Sequence, residues 1–269
     1  MGHDETMRDR VVVVTGGGTG IGRATAEQFA QAGAWVIAVG RRSAPLEDTA
    51  QSSDKVVPIP IDVLSEEDLD RLIQFIERRW ARIDALINNA GMFKQIPLGN
   101  IDSETISSIF ATNVIGPSMM CQAALPLLKA TQGSIVNLSS AFGHKAAPMI
   151  SHYAASKAAI EQLTRCWALE LAPYRVRVNA IAPGPTETDI LSQSGLLSWQ
   201  IETIKNEESK QVPLGRRGNP HEIAKWIVHL ANPSATWITG QVISVDGGLS
   251  ATLSHAPSRE DERGDQFSY

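Results

Sequence analysis

Short apolar segments rich in Val and Ile alternate with longer segments of helical periodicity along most of the chain. Several apolar segments have no polar alternation, which is typical of strands buried on both faces of a parallel sheet. The predicted strands are Arg10–Thr15, Trp35–Gly40, Val56–Ile61, Ala85–Asn88, Ser134–Leu138, Arg177–Ile181 and Val242–Val245. The predicted helices are Ile21–Gln31, Glu66–Trp80, Ser103–Lys129, Tyr153–Leu171 and His221–Ala231. This order predicts an α/β fold, a Rossmann-type doubly wound parallel sheet of about seven strands flanked by helices.

Two segments depart from the alternation. Residues 187–217 place short apolar patches inside polar sequence between the sixth and seventh strands. A long insertion there suits a lid over a binding site, and a surface excursion packed for stability alone is the alternative. Residues 254–269 are polar and charge-rich, which predicts a mobile tail that contributes little to the core. We therefore expect a single domain over residues 1–253, followed by this tail.

Composition excludes several classes of protein. The chain has 269 residues, of which 43% are hydrophobic and 20% charged, as in ordinary globular proteins. The net charge of -5, without a long basic stretch, argues against a nucleic-acid partner. The first ten residues lack the apolar core of a signal peptide, and no apolar run approaches the ~20 residues that span a bilayer. Cys121 and Cys166 have no metal-ligand spacing. We therefore expect a cytoplasmic protein with no membrane partner, no disulfide and no metal.

A glycine-rich turn follows the first strand and opens the first helix. Gly16 permits a tight turn, Gly20 lets the backbone approach a pyrophosphate, and Gly22 lets helix and strand pack closely. Backbone N–H groups and the positive end of the helix dipole would face the anion. This context favours a dinucleotide site over a turn without a ligand, although the first glycine spacing is one residue longer than in the common fingerprint. The residues expected to contact the cofactor are Gly16, Gly18, Thr19, Gly20, Ile21 and Gly22.

The end of the second strand, Gly40-Arg41-Arg42, bears on which cofactor binds. A carboxylate here would accept hydrogen bonds from an unmodified ribose, but Gly40 has no side chain. The guanidinium of Arg41 suits a ribose 2′-phosphate instead. The sequence therefore favours NADP(H) over NAD(H), with Arg41 and Arg42 at the cofactor. NAD(H), or two solvated surface arginines, are the alternatives.

Tyr153 and Lys157 lie four residues apart at the start of a helical pattern, so their side chains share one helix face. An unperturbed phenol titrates near pH ~10, too high for an easy base at neutral pH. A neighbouring ammonium favours the phenolate. The pair is therefore a plausible proton-transfer device, although the same spacing also arises by chance.

Several motifs together give the chain a resemblance to a known family. They are the Thr15–Gly22 turn, Asn88-Asn89-Ala90-Gly91, Asn113 in a long helix, Ser140 thirteen residues before Tyr153, Tyr153-x-x-x-Lys157, Pro183-Gly184 and Val245-Asp246-Gly247-Gly248. In these motifs the chain resembles the single-domain branch of the short-chain dehydrogenase/reductase family, from about Arg10 to Gly248. The resemblance implies an oxidoreductase that transfers a hydride between a nicotinamide cofactor and a carbonyl or alcohol.

The resemblance also implies roles for individual residues. Tyr153 would donate a proton to the carbonyl oxygen in reduction and accept one in oxidation. Lys157 would lower the pKa of Tyr153 and bind the nicotinamide ribose, Ser140 would position the substrate oxygen, and Asn113 would hold a water in the proton relay. The other cofactor residues implied are Asn89, Ala90 and Gly91 near the adenosine ribose, Asp62 and Val63 at the adenine, and Pro183, Gly184, Thr186 and Thr188 at the nicotinamide.

The substrate is the least determined part of the prediction. Ser140, Met92, Phe93, His144, Met149, His152, Trp199 and the rest of the Leu196–Ile201 segment are expected to line a mainly apolar pocket. This pocket suits a hydrophobic or aromatic ketone or alcohol. The resemblance implies a homotetramer or homodimer formed through the helices Ser103–Lys129 and Tyr153–Leu171. An NAD-dependent alcohol dehydrogenase, a redox-neutral epimerase or dehydratase and a non-catalytic cofactor-binding regulator are the alternative functions.

Overall fold

All seven predicted strands form, and they pair in parallel to make one sheet. In the computed structural model, which describes residues 7–192 and 196–252, the strands are β1 (Val11–Thr15), β2 (Trp35–Gly40), β3 (Val56–Pro60), β4 (Ala85–Asn88), β5 (Ser134–Leu138), β6 (Arg177–Pro183) and β7 (Val242–Val245). Their order across the sheet is β3-β2-β1-β4-β5-β6-β7. The predicted doubly wound fold is confirmed.

The sheet buries both of its faces because its strands are apolar throughout. In β1, Val12 and Val14 belong to one apolar core, which includes Phe29 and Ile227 from helices on that side. Val11 and Val13 point the other way, into a second core that contains Leu72 and Met120. Successive strand side chains point to opposite faces, so a continuous apolar run serves two cores at once.

Eight α-helices flank the sheet in the described part of the chain: α1 (Gly20–Gln31), α2 (Ser43–Ala50), α3 (Glu66–Arg79), α4 (Ser103–Phe110), α5 (Gly116–Thr131), α6 (Ser151–Leu171), α7 (Ser198–Gln211) and α8 (Pro220–Ala231). The expected helix Ser103–Lys129 is interrupted by a π-helical turn, Ala111–Ile115, in which the N–H of Gly116 bonds to the carbonyl of Ala111. Helix α8 begins as predicted, because Asn219 caps it through a bond from His221 N at 2.9 Å.

Helices α2 and α7 were not predicted from the sequence. Helix α2 spans eight residues, of which only Leu46 and Thr49 are buried, so its apolar period is too short to detect. Helix α7 has no buried residue and lies inside the segment predicted as a lid. Residues 193–195 of that segment, and the predicted tail 254–269, lie outside the described residues.

The crossover connections reverse direction between β1 and β4, and open α/β sheets bind ligands in the crevice that this reversal creates. A cleft of about 420 Å³ lies there, lined by the residues that follow the carboxyl ends of the strands. Within residues 7–192 and 196–252, no helix is long and apolar enough to cross a membrane. The same residues contain no cluster of three His, Cys, Asp or Glu side chains suited to a metal ion. Both cysteines are unpaired.

Candidate active site

The glycine turn forms one wall of the cleft. Gly16 and Gly20 adopt φ values of 65° and 53°, a region in which a side chain is strained. A Cβ atom on Gly20 would lie 2.9 Å from Cγ2 of Thr188, on the opposite wall. Asn89 fixes the turn from the neighbouring strand, because its Nδ2 donates to the Thr15 carbonyl at 2.8 Å. The turn is therefore a rigid cradle of backbone with no side chain filling it.

Most of the predicted cofactor residues line this cleft. They are Gly16, Gly18, Thr19, Gly20, Ile21, Arg41, Arg42, Asp62, Val63, Asn89, Ala90, Gly91, Tyr153, Lys157, Pro183, Gly184, Thr186 and Thr188. Gly22 is the exception: it lies behind the turn, where a Cβ would overlap the Gly16 carbonyl oxygen and the Asn89 amide. It shapes the cradle without facing it.

Two hydroxyl groups meet at the far end of the cleft. Tyr153 lies in the first turn of α6, Ser140 lies two residues after the end of β5, and both side chains are buried. The Ser140 side chain lowers the pKa of Tyr153 through a hydrogen-bonding interaction, although burial of the phenol has the larger effect and raises it. Phe93 packs edge-on against the Tyr153 ring, with 5.0 Å between centroids. The hydroxyls are therefore held together in an apolar surround.

Lys157 lies one helical turn after Tyr153 and is 5% exposed. Its Nζ donates to the carbonyl of Leu138 at 2.8 Å and lies 5.8 Å from the centroid of the Tyr153 ring. Burial lowers the pKa of Lys157 to about 8. The ammonium is therefore directed to the end of β5. The causes that set the pKa of Tyr153 are burial and the Ser140 side chain, not Lys157.

Comparison with known proteins agrees with this geometry. Residues 16–250 match the family described as Enoyl-(Acyl carrier protein) reductase. The 3-oxoacyl-[acyl-carrier-protein] reductase FabG of Thermotoga maritima is 35% identical over 90% of this chain and 98% of its own length. The chain belongs to the short-chain dehydrogenase/reductase family. It is an oxidoreductase of that family, as the resemblance implied.

Two solved structures of related proteins have the same fold as this chain. A short-chain dehydrogenase/reductase from Caenorhabditis elegans, solved with cofactor, has a TM-score of 0.86 at 33% identity and covers 92% of this chain and 97% of its own. The 3-ketoacyl-(acyl-carrier-protein) reductase of Brucella melitensis, solved with NADH, has a TM-score of 0.84 at 29% identity and covers 91% and 99%. Both structural similarities extend over nearly the whole chain.

Asn113 lies in the π-helical turn of this dehydrogenase/reductase, and its side chain does not line the cleft. Its Oδ1 accepts from Met92 N at 2.7 Å, and its Nδ2 donates to Met92 O at 2.9 Å and to Ser156 Oγ at 3.0 Å. The amide thus joins the loop after β4 to helix α6. These contacts occupy the side chain that the sequence analysis expected to hold a water.

His144 is not brought to the cleft, although it was predicted to line the substrate pocket. A short 3₁₀ turn, Ala141–Gly143, directs its ring away from Ser140. His144 Nδ1 lies 2.9 Å from Oε1 of Glu161, and its Nε2 lies 3.2 Å from Oγ of Ser244. The sequence analysis missed Glu161, which lies four residues after Lys157 and is buried.

Met149, Trp199 and His152 do not line the cleft either. Met149 has φ 66° and is exposed, because the loop turns outward before α6. Trp199 is 66% exposed at the start of α7, and the Leu196–Ile201 segment does not reach the cleft. Met92 and Phe93 do line it. The described residues of the lid that line the cleft are Thr188, Asp189, Ile190, Leu191, Glu208 and Arg217.

Replacing Lys157 with Met is expected to stabilise the fold at pH 7. A pKa lowered to about 8 means that the buried ammonium opposes folding below pH 8, by up to about 3 kcal/mol. Loss of the bond to the Leu138 carbonyl offsets about 1 kcal/mol, which leaves a gain of about 1–2 kcal/mol. Between pH 8 and the unfolded value near 10.5, the unfolded chain binds more protons, so wild-type stability rises with pH. Urea unfolding at pH 7 and pH 10 should show that the gain in free energy of unfolding is smaller at the higher pH.

The matched control for this prediction is Lys225→Met, which removes an exposed lysine from α8. Its free energy of unfolding should follow the wild type at both pH values. A Lys157→Met variant that is less stable than the wild type at pH 7 would show that the ammonium stabilises the folded chain.

Proposed function

We propose that the protein transfers a hydride between NADP(H) and a carbonyl or secondary alcohol, with Tyr153 as the general acid and base. The observation that carries the proposal is that the Tyr153 and Ser140 side chains interact in the same cleft as the glycine turn. Two adjacent O–H donors suit one substrate oxygen on which negative charge develops during reduction. The Thermotoga maritima relative, named a 3-oxoacyl reductase, supports a carbonyl as the reacting group.

The glycine turn fits the diphosphate of a dinucleotide. Gly16, Gly18 and Gly20 line the cleft beside the first turn of α1, where backbone N–H groups and the helix dipole favour an anion. A side chain at Gly20 would close the gap to Thr188. When bound, the nicotinamide supplies the hydride and accepts it in the reverse direction. Pro183, Gly184 and Thr188 line the same cleft as Tyr153 and would hold that ring.

In the direction of reduction, the Ser140 and Tyr153 hydroxyls bind the substrate oxygen. The Tyr153 O–H donates its proton to this oxygen as the carbonyl carbon receives the hydride, so a ketone becomes a secondary alcohol. Burial raises the pKa of Tyr153, which keeps the phenol protonated and ready to donate at neutral pH. Lys157, protonated below a pKa of about 8, would favour the phenolate that remains. In oxidation, the same phenolate accepts the alcohol proton.

Phe93 and Met92 line the substrate end beside the two hydroxyls, together with Ile190 and Leu191 from the lid. This part of the cleft is largely apolar, and the Phe93 ring packs edge-on against Tyr153. An apolar surround favours a substrate whose carbonyl carries hydrophobic groups, because apolar surface is then removed from water on binding.

Arg41 supports NADP(H) as the cofactor. It lies in the cleft at the end of β2, beside Gly40 and Arg42 and across from Asp62. No side-chain carboxylate occupies position 40, so an unmodified ribose lacks the acceptor it would ordinarily bind there. The exposed Arg41 guanidinium is free to bind a 2′-phosphate through two parallel N–H donors.

Replacing Arg41 with Ala should therefore weaken the binding of NADPH more than the binding of NADH. We expect the KM for NADPH to rise about 10- to 100-fold, on the order of the 1.5–3 kcal/mol that a hydrogen bond to a charged group contributes. The KM for NADH should stay within about twofold. Steady-state kinetics with each cofactor measure the ratio. Arg8→Ala, which removes an exposed arginine outside the cleft, is the control. Equal effects on both cofactors would show that Arg41 does not recognise a 2′-phosphate.

The direct test of the proposed function is a panel of ketones and alcohols, including 3-oxoacyl thioesters, scored by absorbance of the reduced nicotinamide with each cofactor. Oxidation of NADPH in step with ketone loss supports the proposal. Conversion of substrate without net change in cofactor would support a redox-neutral reaction. Tight cofactor binding without turnover of any compound would support a regulator.

A further inference from the structure

A buried arginine, Arg217, closes one end of the cleft. Its side chain is 4% exposed, and its Nε lies 2.8 Å from Oε1 of Glu187. Its Nη1 forms an ion pair with Glu208, and its Nη2 donates to the carbonyl of Thr186. We call Arg217, Glu187, Glu208 and the Thr186 carbonyl the Arg217 clamp. One guanidinium therefore donates to one backbone carbonyl and forms ion pairs with two carboxylates.

The acceptors of the Arg217 clamp belong to two different parts of the chain. Thr186 and Glu187 follow β6 and border the cleft, whereas Glu208 lies near the end of α7. Lys205, one turn earlier on α7, adds a second link to Glu187 at 2.9 Å. The clamp thus ties the lid helix to the loop that leaves β6. No residue of α7 is fully buried, and Lys205 and Glu208, which make these charged contacts, are among its half-buried residues.

The loop held by the clamp faces the glycine turn. Glu187 N donates to Gly218 O at 2.9 Å, and Gly218 N donates to Pro185 O at 2.8 Å, so the backbone beside Arg217 is fixed to the same loop. Thr188, the next residue, approaches the glycine turn closely enough to contact a Cβ placed on Gly20. The width of the cleft at this point therefore depends on where the clamp holds residues 186–188.

The Arg217 guanidinium needs its carboxylate partners because it is buried, whereas the Glu187 carboxylate is half-exposed. Burial lowers the pKa of Arg217, and the Glu187 carboxylate opposes that effect. Lys205 and Arg217 together hold the pKa of Glu187 below its usual range, although burial acts in the opposite direction. A buried charge that loses its partner is strongly disfavoured, so the guanidinium and the Glu208 carboxylate favour the docked position of α7.

We propose that Arg217 is a positioning residue that docks the lid helix α7 onto the 186–188 loop and thereby sets the cofactor-binding geometry of the cleft. The inference rests on the proposed function in one respect only, because it takes the bound group to be a nicotinamide cofactor. Docking of α7 itself is a property of the chain alone.

The test uses the full-length chain with Glu208→Gln, Arg217→Met and Arg217→Lys. Glu208→Gln keeps the shape and removes the charge that reaches from α7, and Arg217→Met keeps the stem and removes the guanidinium. Both should raise amide exchange across Ser198–Gln211 about tenfold in protein without added nucleotide, with β1 and β4 unchanged. Both should also raise the Kd and KM for NADPH about tenfold, with kcat within about twofold, since binding is lost uniformly.

Arg217→Lys should restore part of the binding, to a Kd about threefold above the wild type, because an ammonium reaches fewer acceptors than a guanidinium. The matched control is Arg216→Met, which removes the adjacent exposed arginine and its pair with Glu222. It should leave exchange in α7 and the Kd unchanged. Exchange in α7 that is unchanged in Glu208→Gln and Arg217→Met, or that rises equally in the sheet, would overturn the proposal.

Failure of the proposed function has a different signature. A wild-type chain that binds neither NADPH nor NADH would refute the nicotinamide assignment. The exchange of α7 amides would still decide whether the clamp docks the lid.

Discussion

Tyr153→Phe is expected to lower kcat at least ~10³-fold while the Kd for NADPH stays within about twofold. Phe keeps the ring that packs against Phe93 at 5.0 Å and removes only the hydroxyl. Without it, no O–H can donate to the substrate oxygen from this position, and a well-placed general acid contributes roughly 10²–10⁴-fold. A 10³-fold loss corresponds to about 4 kcal/mol of transition-state stabilisation. Single-turnover kinetics and fluorescence titration with NADPH measure the two quantities separately.

Tyr174→Phe is the matched control, since Tyr174 is half-exposed and its ring lies under Lys129, away from the cleft. It should leave kcat and Kd unchanged. Ser140→Ala should lie between the two variants, because Ser140 binds the same oxygen without supplying the proton. Near-normal turnover of Tyr153→Phe would exclude the mechanism proposed above.

The sheet could be predicted from sequence because its signal is local. Each strand is a short apolar run, and burial of Val11 and Val13 on one face and Val12 and Val14 on the other removes any need for polar alternation. The lid helix α7 could not be predicted in this way, because none of its residues is buried and no apolar stripe marks it.

The functional site, like the fold, was predictable only where the signal in the sequence is local. Tyr153 and Lys157 lie four residues apart on one helix, the glycine turn directly follows one strand, and the two motifs meet in one cleft. His144 lies close to Ser140 in sequence, yet the intervening turn directs it to Glu161. A residue that is close to Ser140 in sequence can still point its side chain away from the cleft. The residues predicted to line the substrate pocket therefore included some that line the cleft and some that do not.

The ion pairs of Arg217 could not be predicted from the sequence. Its partners Glu187 and Glu208 are 30 and 9 residues away, and all three read as solvated charges in a polar segment. Only the return of the chain after α7 to the loop after β6 buries the guanidinium beside them. Long-range charge pairing leaves no periodic or local signal, so the clamp was found only in three dimensions.

Gly22→Ala is expected to abolish measurable cofactor binding, with an increase in Kd of at least ~100-fold. The residue is helical with an ordinary backbone conformation, so alanine there would by itself favour α1 by up to about 1 kcal/mol. Its methyl group would overlap the Gly16 carbonyl oxygen and the Asn89 amide. Neither can yield easily, because Asn89 Nδ2 also bonds to Thr15 O at 2.8 Å. Helix α1 must therefore move away from the turn, and the N–H groups that face the anion move with it.

The same displacement should reduce stability by about 3 kcal/mol, the upper part of the range for overpacking a buried site. For a chain of this size that corresponds to a fall in Tm of roughly 6–12 °C. Gly99→Ala is the control, because a Cβ there meets no atom within 4 Å, and it should change neither Tm nor Kd. If Gly22→Ala lowered Tm but bound NADPH as the wild type does, the glycine turn would be a packing feature and the phosphate site would lie elsewhere in the cleft.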